Sequence, residues 1–370
     1  MNHMTKDIEQ YLQTKFGNSL EDSNERQLYQ ALMAETRNRL SKKRYDYTKK
    51  LKESGQKQAY YMSMEFLVGR TLRNNLFNLG LEEEIRSFLA EKNFDLDKIY
   101  DMEPDPGLGN GGLGRLASCY LDALTSNDYP VTGFSILYEF GIFKQVIANG
   151  WQQEYPDNWL GMGQYGLVHR SDEEIEVKFY GKTQEHWTKD GLKVTYEDYT
   201  SIIAEPYDLM ISGYKSEAVN VLRLWKSKAD AGFDMKLFER GEYAKSSESE
   251  AIAESISKLL YPADDTNEGK ALRIKQQYFF TSASLQQIVK NHYKTYGSLD
   301  NLADKVAIHI NDTHPSMCIP ELMRILLDDY DYSWEKAWDI TTKVFAYTNH
   351  TIMAEALEKW SVDLFAPILP

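Results

Sequence analysis

The sequence predicts an α/β fold, and three observations carry that expectation. A glycine-rich loop, Asp105-Pro106-Gly107-Leu108-Gly109-Asn110-Gly111-Gly112-Leu113-Gly114-Arg115, runs directly into the apolar helical stretch Leu116 to Leu124. The short apolar run Lys305 to Ile310 empties into the polar loop Asn311-Asp312-Thr313-His314-Pro315, and a helix is predicted from near Pro320. Ile175 to Tyr180 alternates apolar and charged residues and is closed by Gly181, the mark of a half-exposed strand, which suggests antiparallel additions to a sheet. A length of 370 residues allows one large α/β domain or two domains.

Taken in order, Asp7 to Gly17 and Ser23 to Lys52 are predicted helices, the second gathering Arg and Lys toward its end, where cations complement the helix dipole. They form a surface layer. Gln58 to Arg70 contains the nearly continuous apolar stretch Ala59 to Leu67, interrupted by one carboxylate, Glu65. Burying a charge unpaired is costly, so Glu65 belongs at a strand end or in a cleft, either as a ligand contact or as half of a structural ion pair. Beyond the glycine loop and its helix, Val131 to Phe140 and Phe143 to Ile147 read as strands, with Ala148-Asn149-Gly150 as the turn before Trp151. Val219 to Trp225 is a further strand and Ser246 to Leu260 a helix. Ile274, Tyr278, Leu285 and Ile288 keep helical spacing, so Ala271 to Tyr293 is a long amphipathic helix. Asn349-His350-Thr351 then fills a polar gap between a helix over Ser333 to Phe345 and another starting near Ile352. No internal repeat, low-complexity tract or linker divides the chain.

Composition narrows the function. A net charge of −14 argues against non-specific binding of nucleic acid or of anionic membranes, both of which need a basic surface. No apolar run approaches the roughly 20 residues of a membrane span. Only Cys119 and Cys318 are present and Met1 to Gln10 is polar, so neither a disulfide framework nor a signal peptide is expected, which favours the cytoplasm. Aromatic residues make up 13% of the chain, as either stacking platforms for sugars or core filler.

The glycine loop leaves a run of backbone N–H groups without side-chain cover at the positive end of a helix, a site suited to a phosphate. Gly109, Gly111 and Gly114 also satisfy G-x-G-x-x-G. A dinucleotide fingerprint needs an apolar strand running into the first glycine, whereas Asp101, Glu103, Pro104, Asp105 and Pro106 precede this one, which disfavours nicotinamide or flavin. The alternative is a turn that only lets a helix pack closely. Asp312 and His314 stand just past a strand's carboxyl end, where open α/β sheets bind ligands; a turn cap and a backbone-bonded ring are the structural alternative. Tyr261-Pro262-Ala263-Asp264-Asp265 adds two adjacent carboxylates, as hydroxyl acceptors or as a solvated acidic loop. His309, Asp312, His314 and His350 assemble into a metal site only on paper, because His309 faces the opposite side of its strand and no paired Cys or helical His pair accompanies them. No metal is expected.

Together these motifs identify a resemblance. Ser63-Met64-Glu65-Phe66 with Gly69-Arg70-Thr71-Leu72, the loop Gly107 to Arg115, Tyr138 to Phe143, Leu222-Arg223-Leu224-Trp225, Asn311 to Ser316, Ile319 to Arg324 and Ala346 to Thr351 occur in the order found in the α-glucan phosphorylases. The chain resembles that family over nearly its whole length.

The resemblance implies phosphorolysis of the terminal α-1,4-linked glucose of glycogen or maltodextrin to glucose 1-phosphate, with retained configuration. It implies a GT-B architecture, two Rossmann-like domains facing a cleft with pyridoxal phosphate between them. Residues 1–370 would be the N-terminal, glucan-binding domain, truncated and with added antiparallel strands and helices. The cofactor's lysine and main phosphate ligands would lie in an absent C-terminal domain, leaving this chain inactive alone. It further implies that the Gly111 and Gly112 amides lie against the phosphates and that of Leu113 near the glucosyl unit. His350 would contact the transferred glucosyl unit as the catalytic-site histidine. Glu65, Asn110, Tyr261, Asp312 and His314 would line the acceptor path, and Asp264 and Asp265 would belong to a mobile gate loop. A homodimer joined partly through Ser246 to Leu260 follows by the same analogy. Lys290-Asn291 replaces the arginine pair of nucleotide-regulated members, so no nucleotide or phosphorylation switch is expected. Other expectations for these motifs are a nucleotide-sugar glucosyltransferase of the same architecture and a glucan-binding or dimerisation module only.

Overall fold

The computed structural model describes residues 3–162, 165–189, 191–230, 232–354 and 357–370. Its strands are β1 (Gln58–Met62), β2 (Val131–Ile136), β3 (Gly141–Ala148), β4 (Trp151–Asp157), β5 (Leu167–His169), β6 (Ile175–Phe179), β7 (Lys182–Thr188), β8 (Gly191–Glu197), β9 (Thr200–Ser212), β10 (Val219–Ala229), β11 (Val306–Asn311) and β12 (Phe345–Thr348). An eight-stranded sheet runs β12-β11-β1-β2-β10-β9-β5, with β6 also paired to β9. Its first five strands are parallel and β9, β5 and β6 extend it antiparallel, as the alternation in Ile175 to Tyr180 suggests.

Of the parallel strands, β2, β10 and β11 are largely buried, with helices packed against them, whereas β12 is largely exposed. Trp225 on β10 is fully buried, its indole N–H donating to Ser284 Oγ at 2.9 Å on the helix Asn267–Tyr296. Phe134 of β2 stacks on the same indole with ring centroids 6.3 Å apart. A second, smaller core belongs to the N-terminal helices. Met4, Ile8 and Leu12 of His3–Phe16 and Leu28 and Leu32 of Glu25–Ser54 meet Leu72, Leu76, Ile85 and Leu89 there. Glu25–Ser54 is closed at both ends, by a capping box between Asn24 and Gln27 and by Gly55 in the left-handed conformation (φ 59°).

Several expected elements differ in extent. The helix predicted over Ala271 to Tyr293 is Asn267–Tyr296, because the Thr266 hydroxyl accepts from Gly269 N and starts it a turn earlier. The single helix expected over Ser246 to Leu260 is instead Tyr243–Ser246, Glu248–Glu254 and a 3-10 turn at Ser255–Ser257. Ser247 interrupts it with a non-helical backbone (φ −113°, ψ 9°), and Ser257 is drawn onto Ser227 of β10. The strand expected over Val131 to Phe140 stops at Ile136, since Tyr138 turns inward to donate its hydroxyl to Met64 O at 2.7 Å. The helix expected from near Ile352 runs onto residues 355 and 356, which lie outside the described residues; Ile352 itself is non-helical and exposed, and the next described α-helix is Val362–Phe365. Asn149 (φ 53°) and Gly150 (φ 79°) make the predicted turn, joining β3 to β4.

Candidate functional site

The chain leaves β1 toward β2 on one side and reaches β11 on the other, so β1 and β11 flank the point where strand order reverses. In open α/β sheets this is where ligands bind, outside the strands' carboxyl ends. The segments Ser63–Leu67 after β1, Asp312–His314 after β11 and Asn349–His350 after β12 all leave the sheet at that end.

The glycine loop closes the cleft from the β1 side. Phe66 N donates to Leu108 O (2.8 Å) and Leu67 N to Gly114 O (3.0 Å), which zips the segment after β1 along the loop. Gly109 and Gly114 are glycines for this reason. A Cβ at Gly109 would stand 2.8 Å from Leu67 N, and one at Gly114 2.7 Å from Glu65 Oε2. Gly111 and Gly112 differ, since a Cβ built on either meets nothing within 4 Å. Gly111 is the N-cap and Gly112 the first residue of the 15-residue helix Gly112–Ser126, so open space lies at the helix's positive end.

Part of that positive end is already satisfied by the protein. Glu65, 4% exposed, accepts from Asn110 N at 2.6 Å and Gly111 N at 3.3 Å, and its other oxygen accepts from the Tyr261 hydroxyl at 3.3 Å. The carboxylate is therefore held by amides, not by a basic partner. Tyr261 sits in left-handed backbone (φ 51°), and its ring contacts His314 with centroids 5.4 Å apart. Burial, then the nearby Glu65 charge, push the Tyr261 phenol well above its usual range, so it stays a donor. Burial lowers the His314 imidazole, and its Nδ1 is buried without a hydrogen-bond partner among the described residues.

On the β11 side, Asp312 is buried in left-handed backbone (φ 67°), its N–H on Thr348 O at 2.8 Å and its carboxylate accepting from Thr313 N at 2.6 Å. It is thus a turn-capping residue whatever else it contacts. His350 is exposed and bonds Asn311 Oδ1 through Nε2 at 2.6 Å. Asn311, fully buried, donates to Ser63 Oγ at 3.0 Å.

The structure thus brings Glu65, Asn110, Gly111, Tyr261 and His314 into one connected group and ties His350 to it through Asn311 and Ser63. Asp264 is exposed and joins only through Arg273, which it meets at 2.8 Å and whose guanidinium lies 5.7 Å from the Tyr261 ring centroid. Asp265 is exposed outside this group, and Gly112 and Leu113 begin the helix at its edge. Ser63 carried no expected role, and Asn311 was expected at the site only as the first residue of the polar loop it shares with Asp312 and Thr313. The available signal was a buried-type strand ending in an amide, with a serine ending the neighbouring one. His309 stacks on Tyr61 at 5.1 Å. Elsewhere His169, Glu174 and Glu205 cluster on the antiparallel edge, where Lys228 already supplies a cation 3.1 Å from Glu205.

The structure is thus a mixed α/β fold with a parallel-strand core, and its glycine-rich helix end stands at the switch point. The family model of the carbohydrate phosphorylases matches residues 89–370, and the chain belongs to that family. It is 47% identical to the glycogen phosphorylase of Chlamydia pneumoniae over 315 residues, covering 85% of this chain and 38% of that protein. With the Bacillus subtilis glycogen phosphorylase it shares 44% over 359 residues, 97% of this chain and 44% of that protein. With the brain form of the human enzyme it shares 45% over 326 residues, 86% of this chain and 38% of that protein. The chain therefore spans about two fifths of the length of the curated relatives it matches.

Proposed function

We propose that this chain is the N-terminal, glucan-binding part of an α-1,4-glucan phosphorylase of GT-B architecture, acting on glycogen or maltodextrin with inorganic phosphate. The observation that carries this reading is the open helix end at Gly111 and Gly112 beside a buried, hydrogen-bonded Glu65 in a carbohydrate phosphorylase chain. The amides there, preorganised by the helix, meet negative charge as the glycosidic bond breaks. Leu113 N faces the glucosyl unit, which His350 contacts from the β12 side. Glu65, Asn110, Tyr261, Asp312 and His314 line the acceptor path, where the unpartnered His314 Nδ1 supports a hydroxyl contact. Asp264 and Asp265 belong to the loop over its mouth.

Gly112, at the start of Gly112–Ser126, fits the phosphate of pyridoxal phosphate, because a Cβ built there meets nothing within 4 Å. When bound, that cofactor supplies acid–base chemistry through its phosphate. The lysine holding it belongs to the part of the family's polypeptide that this chain does not span, so these residues alone are inactive in this reading. The reading also takes a cytoplasmic homodimer. No described helix is long and apolar enough to cross a membrane.

The test is release of glucose 1-phosphate from maltoheptaose and inorganic phosphate, without nucleotide, by the complete polypeptide that includes this chain. Gly112→Pro should abolish it. Gly112 is the first helical residue, where proline is tolerated, so the variant removes one N–H and leaves the helix in place, unlike the loop distortion a proline brings elsewhere. Undiminished phosphorolysis by that variant overturns the role of the helix end, and turnover only with a nucleotide sugar overturns the reaction.

A further inference from the structure

We propose that Asn311 and Ser63 are positioning residues that fix the tautomer of His350, holding it as the Nε2–H form with Nδ1 as its only ring acceptor. A chain of hydrogen bonds runs from the Glu65 carbonyl through Ser63 and Asn311 to His350, and its direction is set at the Glu65 end. The carbonyl oxygen of Glu65 can only accept, so the Ser63 hydroxyl, 2.9 Å away, must donate to it. With its proton committed, Ser63 Oγ is the acceptor for Asn311 at 3.0 Å, and the group Asn311 presents to it must be the amide nitrogen. Asn311 Oδ1 therefore faces His350, and an amide oxygen can only accept, so His350 Nε2 carries the proton across the 2.6 Å contact.

The device is rigid because its inner members cannot move. Ser63 and Asn311 are both 0% exposed. They sit at the ends of adjacent parallel strands in register, with Met62 beside Ile310. Ser63 N is held by Phe134 O at 3.2 Å, and Asn311 pairs with Thr348 on its other side. An apolar residue in place of Asn311 would leave Nε2 with water, which donates or accepts equally well and imposes no tautomer. The same Ser63 whose hydroxyl orients Asn311 binds the backbone of Glu65, so His350 and the carboxylate in the amide nest are set by one hydrogen-bond chain. The consequence for a sugar rests on the phosphorolysis reading: His350 accepts a hydroxyl proton through Nδ1 and does not donate from it. The tautomer itself does not rest on that reading.

The test is the ring-nitrogen spectrum of this chain labelled with 15N-histidine, at a pH of about 8 where imidazoles are neutral. His350 is assigned among the seven histidines by the signal lost in His350→Gln. The expected result is protonation at Nε2, and a wild-type ring protonated at Nδ1 overturns the proposal. Asn311→Leu should lower the Nε2–H to Nδ1–H ratio roughly fivefold, the equivalent of one ordinary hydrogen bond. Asn311→Asp, which keeps an acceptor facing Nε2–H, should restore it. Should Asn311→Leu not fold, Ser63→Ala decides: it retains the backbone pairing of β1, frees the Asn311 amide to turn over, and should shift the ratio the same way. An unchanged ratio in a folded variant of either residue overturns the proposal. The readout is a ring proton and not turnover, so absent phosphorolysis with the expected tautomer defeats the activity reading alone, and the converse defeats this one alone.

Discussion

Gly109 and Gly114 on one side, and Gly111 and Gly112 on the other, are the same residue in one loop answering to opposite demands. The first pair is glycine because there is no room: backbone and carboxylate stand within 3 Å of where a Cβ would be. The second pair has nothing within 4 Å and no steric need to be glycine. Spacing alone cannot separate a glycine that lets segments pack from one that leaves space open: Gly109 and Gly114 are of the first kind, and Gly111 and Gly112 leave the room that the proposed anion would take.

Four measurements test that contrast. The largest effect belongs to Glu65→Ala, which strips the acceptor from the amides of Asn110 and Gly111. It should cost about 2–4 kcal/mol in denaturant unfolding, from the unsatisfied donors together with the lost packing. A loss under 1 kcal/mol would mean the nest takes up water without penalty. Gly114→Ala follows, at about 1–3 kcal/mol, because its methyl must displace a buried carboxylate while gaining some helix propensity. The third concerns the buried imidazole beside the nest. His314 titrates below its ordinary value near 6.5 when folded, so the unfolded chain binds its proton more readily. The stability held by neutral His314 is complete above pH 6.5 and is lost as pH falls toward the lowered folded value. His292 and His309 are lowered too and share that sign, so the diagnostic result is a shallower acid slope in His314→Gln than in the parent. The smallest change in stability is that of Gly112→Ala, within about 0.5 kcal/mol of the parent because its methyl enters open space at a helix start. If Gly112→Ala destabilises as much as Gly114→Ala, the distinction drawn between the two pairs is wrong.

What was legible in the sequence followed from periodicity and punctuation. The run Lys305 to Ile310 became β11, one residue later, because Val306, Ala307, Ile308 and Ile310 form a short apolar stretch between polar segments, and Asn149-Gly150 specified its turn through its backbone preferences. The glycine loop announced a helix start. The 13-residue β9 was illegible because Glu205, Pro206 and Asp208 break its alternation; Asp208 is buried on Arg223 of β10, with Oδ1 2.7 Å from its Nε, a pairing no local pattern reveals. The hairpin β7–β8 is largely exposed on both faces and so carries no apolar period. At the site, the residues with expected roles were Asn110, Gly111, Gly112 and Leu113 of the glycine loop and, beyond it, side chains with charge or a ring. The identity of Glu65's partners was not readable, since backbone amides leave no mark in composition. The link between Asn311 and Ser63 was not readable for a related reason: it lies in the direction of their hydrogen bonds, which exists only once β1 and β11 are adjacent.

The separate apolar cluster beneath the first two helices has a kinetic consequence. A layer with its own interior can open while the sheet stays shut, so amide deuteration should proceed in at least two stages. Backbone protons of residues 3–16 and 82–91 should exchange before those of β1, β2 and β11, and the cleft would keep its shape while that outer layer breathes.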